Sequence, residues 1–370
     1  MSEIRVNTLG NESNTGGPVL SGITTFSGQQ YFIPPTGTTA ERPSGCPPGS
    51  IRFNTDSAHL EYWNGLVWLE FEASSEELGD QNNTNSSGGT GARGLFGGSG
   101  QVAVDFITIS TLGGAQDFGD LTTNKSHPST CASRTRGIFG GGYQAPAFLN
   151  IIEFVTIAST GNGTDFGDFT QSKYGGAACS NSTRGVFGGA HVNDDNIEYI
   201  TIASAGNAQD FGNLSEGRYL LGSCSSSVRG VFGGGITPTV VDVIDYITIS
   251  STGDSQDFGN LTSATKAAAA SSSSTRGLFG GGYSPSATNK IDFVTIATLG
   301  NAQDFGDLTS ARGALSSCSQ PNRAVFAGGN GPSNVIDFVT IQSTGNAVDF
   351  GDLIAARSQI SALSNGHGGL

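Results

Sequence analysis

The chain has 370 residues, of which 57 are glycine and only 13% are charged, and its formal net charge is −14. A polypeptide this acidic, with no Lys/Arg stripe to displace counterions, does not suit a phosphate backbone, so nucleic acid is not an expected partner. No apolar run approaches the roughly 18 residues of a membrane span, and Met1-Ser2-Glu3-Ile4-Arg5-Val6 has neither a basic n-region nor an apolar h-region. The expectation is a protein without membrane insertion that is folded in the cytosol, or that leaves it by lysis or as part of a particle. The abundance of glycine, with Ser, Thr and Asn at the bends, predicts turn-dense β structure without long helices.

Residues 1–48 have little periodicity and many breakers, among them Gly16-Gly17-Pro18, Pro34-Pro35 and Pro47-Pro48. Such a segment has no core of its own and reads as an extended attachment arm that orders against a neighbour. Residues 49–72 read as a small β-meander: Ile51-Arg52-Phe53-Asn54, His59 to Trp63 and Val67 to Phe71 alternate in strand fashion, with Asn64-Gly65 as the hairpin turn. A lone meander is marginal in water, which makes Tyr62, Trp63, Trp68 and Phe71 candidates for attachment and self-association, a trimer being the expected state. The other reading of these aromatics is that they form the meander's own small core. Residues 73–92, including Asn82-Asn83-Thr84-Asn85, are a polar linker.

The run Gly37-Thr38-Thr39-Ala40-Glu41-Arg42-Pro43, then Gly49 to Ser57 and Leu60-Glu61-Tyr62-Trp63-Asn64-Gly65, is similar to the amino-terminal modules of virion structural and tail-fibre proteins of marine tailed phages, cyanophages especially. The resemblance covers roughly the first 70 residues. It implies a particle-attachment module that contacts other virion proteins and carries a variable distal domain, and it implies no catalytic residue.

From Arg93 the sequence repeats. Arg-Gly-Val-Phe-Gly-Gly or a close variant begins at Arg93, Arg136, Arg184, Arg229, Arg276 and Arg323, at intervals of 43, 48, 45, 47 and 47 residues by subtraction. A period in the 40s fits four-stranded propeller blades and not leucine-rich or ankyrin units. One repeat reads as strands at Arg184–Gly189, Ile197–Ala203, Ala208–Leu214 and a fourth through Cys224. Aromatics recur in three of them, as in Phe187, Tyr199 and Phe211, and are assigned to the core. Cys131, Cys179, Cys224 and Cys318 each precede a repeat arginine by five residues, which places them as small buried thiols too far apart for disulfides. The order of paired glycines and spaced aromatics looks like the kelch repeat, with Phe of Asp-Phe-Gly where that family has Trp.

Copy one lacks a preceding strand, whereas Arg357-Ser358-Gln359-Ile360-Ser361-Ala362-Leu363 is a fourth-strand sequence with no blade after it. The predicted fold is therefore all-β: a six-bladed, kelch-like β-propeller over 93–370, closed when the tail pairs with Arg93–Gly98. The strand-initial arginines are expected to pair with the carboxylates of Gln-Asp-Phe-Gly, such as Asp117, Asp165 and Asp210. A Ca²⁺ site from these aspartates lacks the dense spacing of an oxygen cage, so no metal or cofactor is expected.

His59, His127, His191 and His367 form no recognisable triad, and no H-E-x-x-H, G-x-S-x-G or phosphate-binding glycine motif occurs, so no enzyme activity is expected. Binding remains. Loops at one face of the propeller differ most between repeats, and in them Tyr143, His191, Asp194, Asp195 and Tyr283 suit polar recognition, sugars included. The sequence thus reads as a phage virion protein, a tail fibre or other appendage whose propeller contacts a host surface receptor, a glycan or a virion protein. The alternatives are a structural head-decoration or baseplate component, and a propeller lectin or glycan hydrolase.

Overall fold

The computed structural model describes residues 34–57, 59–70, 92–191 and 194–370. It is all-β, built from small four-stranded sheets, with no α-helix among the described residues. The chain divides into two compact units at residues 78/79.

In the first unit the strands Ile51–Asn54, His59–Trp63 and Trp68–Glu70 form the expected antiparallel meander. Thr36–Gly37, from the expected arm, adds a fourth strand parallel to Ile51–Asn54, and a 3₁₀ turn follows at Thr39–Glu41. The sheet thus starts upstream of residue 49, because the turn ties itself down. Glu41 accepts from the Thr38 N–H at 2.8 Å, and Asp56 accepts from the Thr39 N–H at 2.8 Å. The interior is ionic: buried Glu61 takes Arg42 Nη2 at 2.6 Å and has Arg52 Nε at 3.5 Å. These hydrogen bonds of the Arg42 side chain hold the Glu61 carboxyl below its usual range against the opposing effect of burial, which is the largest influence on it.

The second unit holds six four-stranded antiparallel sheets. Five have a local order: a short strand, the arginine strand, an aromatic strand and an Asp-Phe-Gly strand, as in Ala177–Ser180, Arg184–Ala190, Asp194–Thr201 and Gln209–Asn213 of sheet three. Sheet one draws its short strand from the chain terminus: Ile360–Ser364 pairs with Arg93–Gly98, Ile360 opposite Gly98 and Ser364 opposite Gly94.

Neighbouring sheets are joined by contacts that the repeat dictates. The first-strand phenylalanines Phe96, Phe139, Phe187, Phe232, Phe279 and Phe326 and the Asp-Phe-Gly ones are at most 3% exposed. The second-strand aromatics are only half-buried, each lying edge-on to an Asp-Phe-Gly phenylalanine, as Tyr199 does to Phe211 at 6.1 Å. Over these rings lie the repeat arginines, 4.2 to 4.9 Å from the centroid. Each also donates to a carbonyl of the next sheet: Arg136 to Ile202, Arg184 to Ile249, and Arg323, in sheet six, to Ile109 in sheet one. The expected pairing of these arginines with Asp117, Asp165, Asp210, Asp257, Asp304 and Asp349 is corrected here. Register is the reason: Arg136 stands opposite Thr156, whereas Asp165 is level with Glu153, three residues along, and the aspartates point to solvent.

The carboxylate-cation pairs lie elsewhere and are buried. Lys125 meets Glu153 at 2.7 Å, Lys173 meets Glu198 at 3.4 Å, and Arg218, Arg312 and Arg357 meet Asp245, Asp337 and Asp105 at 2.9 Å each. Each joins one sheet to the next. Lysine pairs with glutamate and the longer arginine with aspartate, so the combined reach stays nearly constant. Sheets four and five depart from this: Thr265 replaces the cation, and Asp292 takes Thr262 from sheet four and Lys290 from its own strand.

The four repeat cysteines are free and buried as expected, and burial pushes their thiols up, Cys224 to about 12. Their sulfurs fill space that glycines leave on the next sheet. A Cβ built on Gly185 would lie 2.6 Å from Cys131 Sγ, and one on Gly230 would lie 2.4 Å from Cys179 Sγ. At the equivalent step from sheet five to sheet six the residues are Ser271 and Ala324, a smaller side chain facing a larger one. Gly185→Ala is therefore expected to lose about 1–3 kcal/mol by overpacking, and adding Cys131→Ser should return most of it, as read by urea denaturation.

Candidate binding face

The six short strands run side by side in the same sense, so the space between them has two distinct ends. At the first end each strand is preceded by a residue of positive φ: His127, Gly175, Leu220, Ala267, Ala314 and Gln359, with φ from 49° to 68°. Backbone hydrogen bonds join them in series, Leu220 N–H to Gly175 O at 2.6 Å, Ala267 to Leu220 at 2.7 Å, Ala314 to Ala267 at 3.0 Å, Gln359 to Ala314 at 2.9 Å and His127 to Gln359 at 2.9 Å. A cavity of about 120 Å³ opens there, lined by His127, by Leu221, Leu315 and Ile360, and by the small residues at the start of the short strands.

The second end is lined by serines and filled by the chain terminus. Ser180, Ser225, Ser272, Ser319 and Ser364 each donate from Oγ to the carbonyl of the equivalent residue on the preceding strand, at 2.6 to 2.9 Å. His367 caps this end of a second cavity of about 60 Å³. Its Nδ1 accepts from the Gly369 N–H at 3.1 Å, which assigns the proton to Nε2, 2.9 Å from Ala132 O. Burial is the main cause of its pKa falling to about 4, so the ring is neutral near pH 7. Gly368 N–H donates to Ser272 O at 3.0 Å, so the tail crosses to sheet five.

The loops carrying the expected binding residues lie at the first end. Tyr143 sits in a small hairpin, Tyr143–Gln144 with Ala147–Phe148, that follows the paired glycines of sheet two. Tyr143 and His191 do come together, but through aromatics that sequence reasoning missed. Tyr174 lies 5.7 Å from Tyr143 and 5.8 Å from His191, Phe148 stacks on Tyr174 at 5.4 Å and 15°, and Tyr219 lies 5.0 Å from His191. His127 joins them at 5.4 Å from Tyr174. The backbone explains the assembly: the residue after each sheet's last buried cation pairs with the residue after the next sheet's glycines, as Ser126 does with Tyr143, Tyr174 with His191 and Tyr219 with Ile236.

The other three expected residues are placed apart from this cluster. Asp194 is tied to Gln171 Nε2 at 2.9 Å and lies 3.4 Å from buried Lys173, so its role is in the sheet-to-sheet joint. Asp195 is exposed, and its carbonyl accepts from the Leu214 N–H. Tyr283 pairs with Lys266 and lies over Gly313, where a Cβ would come within 2.3 Å of its ring.

Of the expected attachment residues, Trp63 and Trp68 pack on each other at 5.7 Å, with Arg52 5.9 Å from the Trp68 centroid. Tyr62 lies in the cross-strand row Ile51–Tyr62–Leu69 on the opposite face, where Ile51 is 48% exposed and Leu69 38%. Phe71 lies outside the described residues. Among the described residues no group of three His, Cys, Asp or Glu is arranged to hold a metal. Comparison with protein-family models and with curated proteins finds no match for this chain.

Proposed function

We propose that residues 93–370 form a closed six-bladed β-propeller and that the chain is a phage virion protein, a tail fibre or comparable appendage, whose propeller binds a host surface. The observation that carries the propeller reading is the last joint. Arg323 to Ile109, Arg357 to Asp105 and Ser364 to Ser319 link sheet six to sheet one with the contacts used between the other sheets. The virion reading leans on the likeness of residues 37–65. In support of it, Arg42, Arg52 and Glu61, which belong to the stretch carrying that likeness, form the buried ionic centre of a unit that is compact in its own right.

Binding without catalysis is favoured by the fate of the histidines. His127 and His191 stand among aromatics, His367 is bonded to backbone, and His59 lies 3.8 Å from Glu70. One rim is occupied by the chain's own terminus, and the other presents loops that differ from sheet to sheet, which is the arrangement of a displayed recognition face. The test is competition: purified full-length chain, preincubated with host cells, should reduce adsorption of the particles. Particles that carry no copy of the chain by antibody labelling would remove the virion reading. Unchanged adsorption at micromolar chain would remove the host-contact reading.

A further inference from the structure

The repeats force the sheets to be alike, so an asymmetry around the rim needs a cause other than the fold. At the first end the rim pairs are Ser126 with Tyr143, Tyr174 with His191, Tyr219 with Ile236 and Lys266 with Tyr283, and Asn330 N–H donates to Gly313 O. Six aromatic rings, counting His127 and Phe148, thus crowd onto one sector, between sheets one and four. Among the described residues, the paired rim positions of the far sector hold one aromatic ring, Tyr283. The fold tolerates lysine, glycine and asparagine at these positions, so the aromatics are not there to hold the sheets together.

The sector has two further properties. Phe148 is 38% exposed, and its ring is held in place by stacking on Tyr174 and by Tyr143 and His191 at 5.5 and 4.9 Å. The hydroxyls of Tyr143, Tyr174 and Tyr219 have no hydrogen-bond partner among the described residues, whereas the hydroxyls of Tyr199 and Tyr246 are bonded to Gln209 and Gln256 at 2.6 and 2.5 Å. Burial and the neighbouring phenols of Tyr219 and Tyr143 push Tyr174 up, so it stays a neutral donor. No cation belongs to the cluster. The buried cations that precede the rim residues are engaged elsewhere: Lys125 by Glu153, Lys173 by Asp194, Asn196 and Glu198, and Arg218 by Asp245.

From the exposed ring, the three free phenols and the missing cation, we infer that this sector binds a neutral saccharide. One sugar ring lies with its C–H face on Phe148, its hydroxyls exchange hydrogen bonds with Tyr143, Tyr174 and Tyr219, and its edge reaches the cavity mouth at His127. A phosphate or sulfate would find no positive charge here, whereas a pyranose has the apolar face and the mixed donors and acceptors that this surface answers. The inference rests on the host-contact reading above and deepens it.

The experiment uses the full-length chain on an array of neutral, acidic and sulfated glycans, followed by titration calorimetry with the best ligand. The expected result is binding to a neutral glycan that weakens at least about tenfold, equal to about 1.4 kcal/mol, in Phe148→Ala and in Tyr174→Ala. Binding should be unchanged in Tyr283→Ala, which alters the far sector, and each variant's thermal melt checks folding. If Tyr174→Ala fails to fold, Tyr143→Phe removes one hydroxyl without a ring and should still weaken binding. No glycan bound, binding confined to acidic glycans or to peptides, or full affinity in folded Phe148→Ala would each overturn the inference. A chain that blocks adsorption yet binds no glycan sinks the sugar alone. A chain that does not block adsorption sinks the host contact.

Discussion

Ending the chain at Ser358 is expected to cost the second unit roughly 3–6 kcal/mol from two side chains alone, since Ile360 and Leu363 are 3% and 4% exposed. That is a large part of the 5–15 kcal/mol by which a typical domain is stable. At about 2–4 °C per kcal/mol, the melting temperature should fall by on the order of 10 °C, and the bared Arg93–Gly98 edge should promote association. Ending the chain at Ser364 keeps the strand. It removes only the plug, including Asn365 Oδ1, which accepts from the Arg93 N–H at 2.8 Å, and His367, so about 1–2 kcal/mol is expected. Equal melts for the two truncations, measured by circular dichroism, would mean that the terminal strand adds nothing.

The second large effect is expected at the joint between sheets six and one. Arg357 is 4% exposed and Asp105 1%, and Arg357 Nη1 also donates to Ala103 O at 2.9 Å. Arg357→Met leaves a buried carboxylate with little besides backbone to compensate it, at a cost of about 3–5 kcal/mol. Adding Asp105→Asn should recover much of that. The pH dependence has a definite sign. Burial already raises the Asp105 pKa, against the pull of Arg357, and removing the arginine raises it further. A carboxyl with a raised folded pKa binds its proton more readily folded than unfolded, so its cost is absent at low pH and grows as pH rises through that pKa. Urea denaturation should therefore find the variant's deficit smaller near pH 5 than near pH 8. A deficit independent of pH would assign the loss to packing of the side chain.

The repeat made much of this architecture legible, because a contact needed six times leaves six copies in the sequence. The aligned phenylalanines, the cysteines ahead of four of the six arginines and the surplus strand at Ile360 all have their counterparts in the structure. The arginine partners were misjudged because two residues at the same end of neighbouring strands are partners only if the register allows it, and the offset between Arg136 and Glu153 does not. A signal for the true pairs was present: where one repeat ends in lysine the next carries glutamate, as in Lys125 and Glu153, and arginine is followed by aspartate, as in Arg218 and Asp245. The aromatic sector was half visible. Tyr143 and His191 stood out as loop residues, but Tyr174 and Tyr219 belong to the preceding repeats and reach them only across a sheet boundary.

Amide hydrogen exchange over residues 360–364 is the most direct test of closure, because this last strand has nothing to protect it except Arg93–Gly98 and its neighbours. The account predicts protection equal to that of the equivalent strands Ala177–Ser180, Gly222–Ser225 and Ala269–Ser272, lost together with them in denaturant. Exchange of 360–364 at the rate of an unstructured tail, with the other short strands still protected, would contradict it.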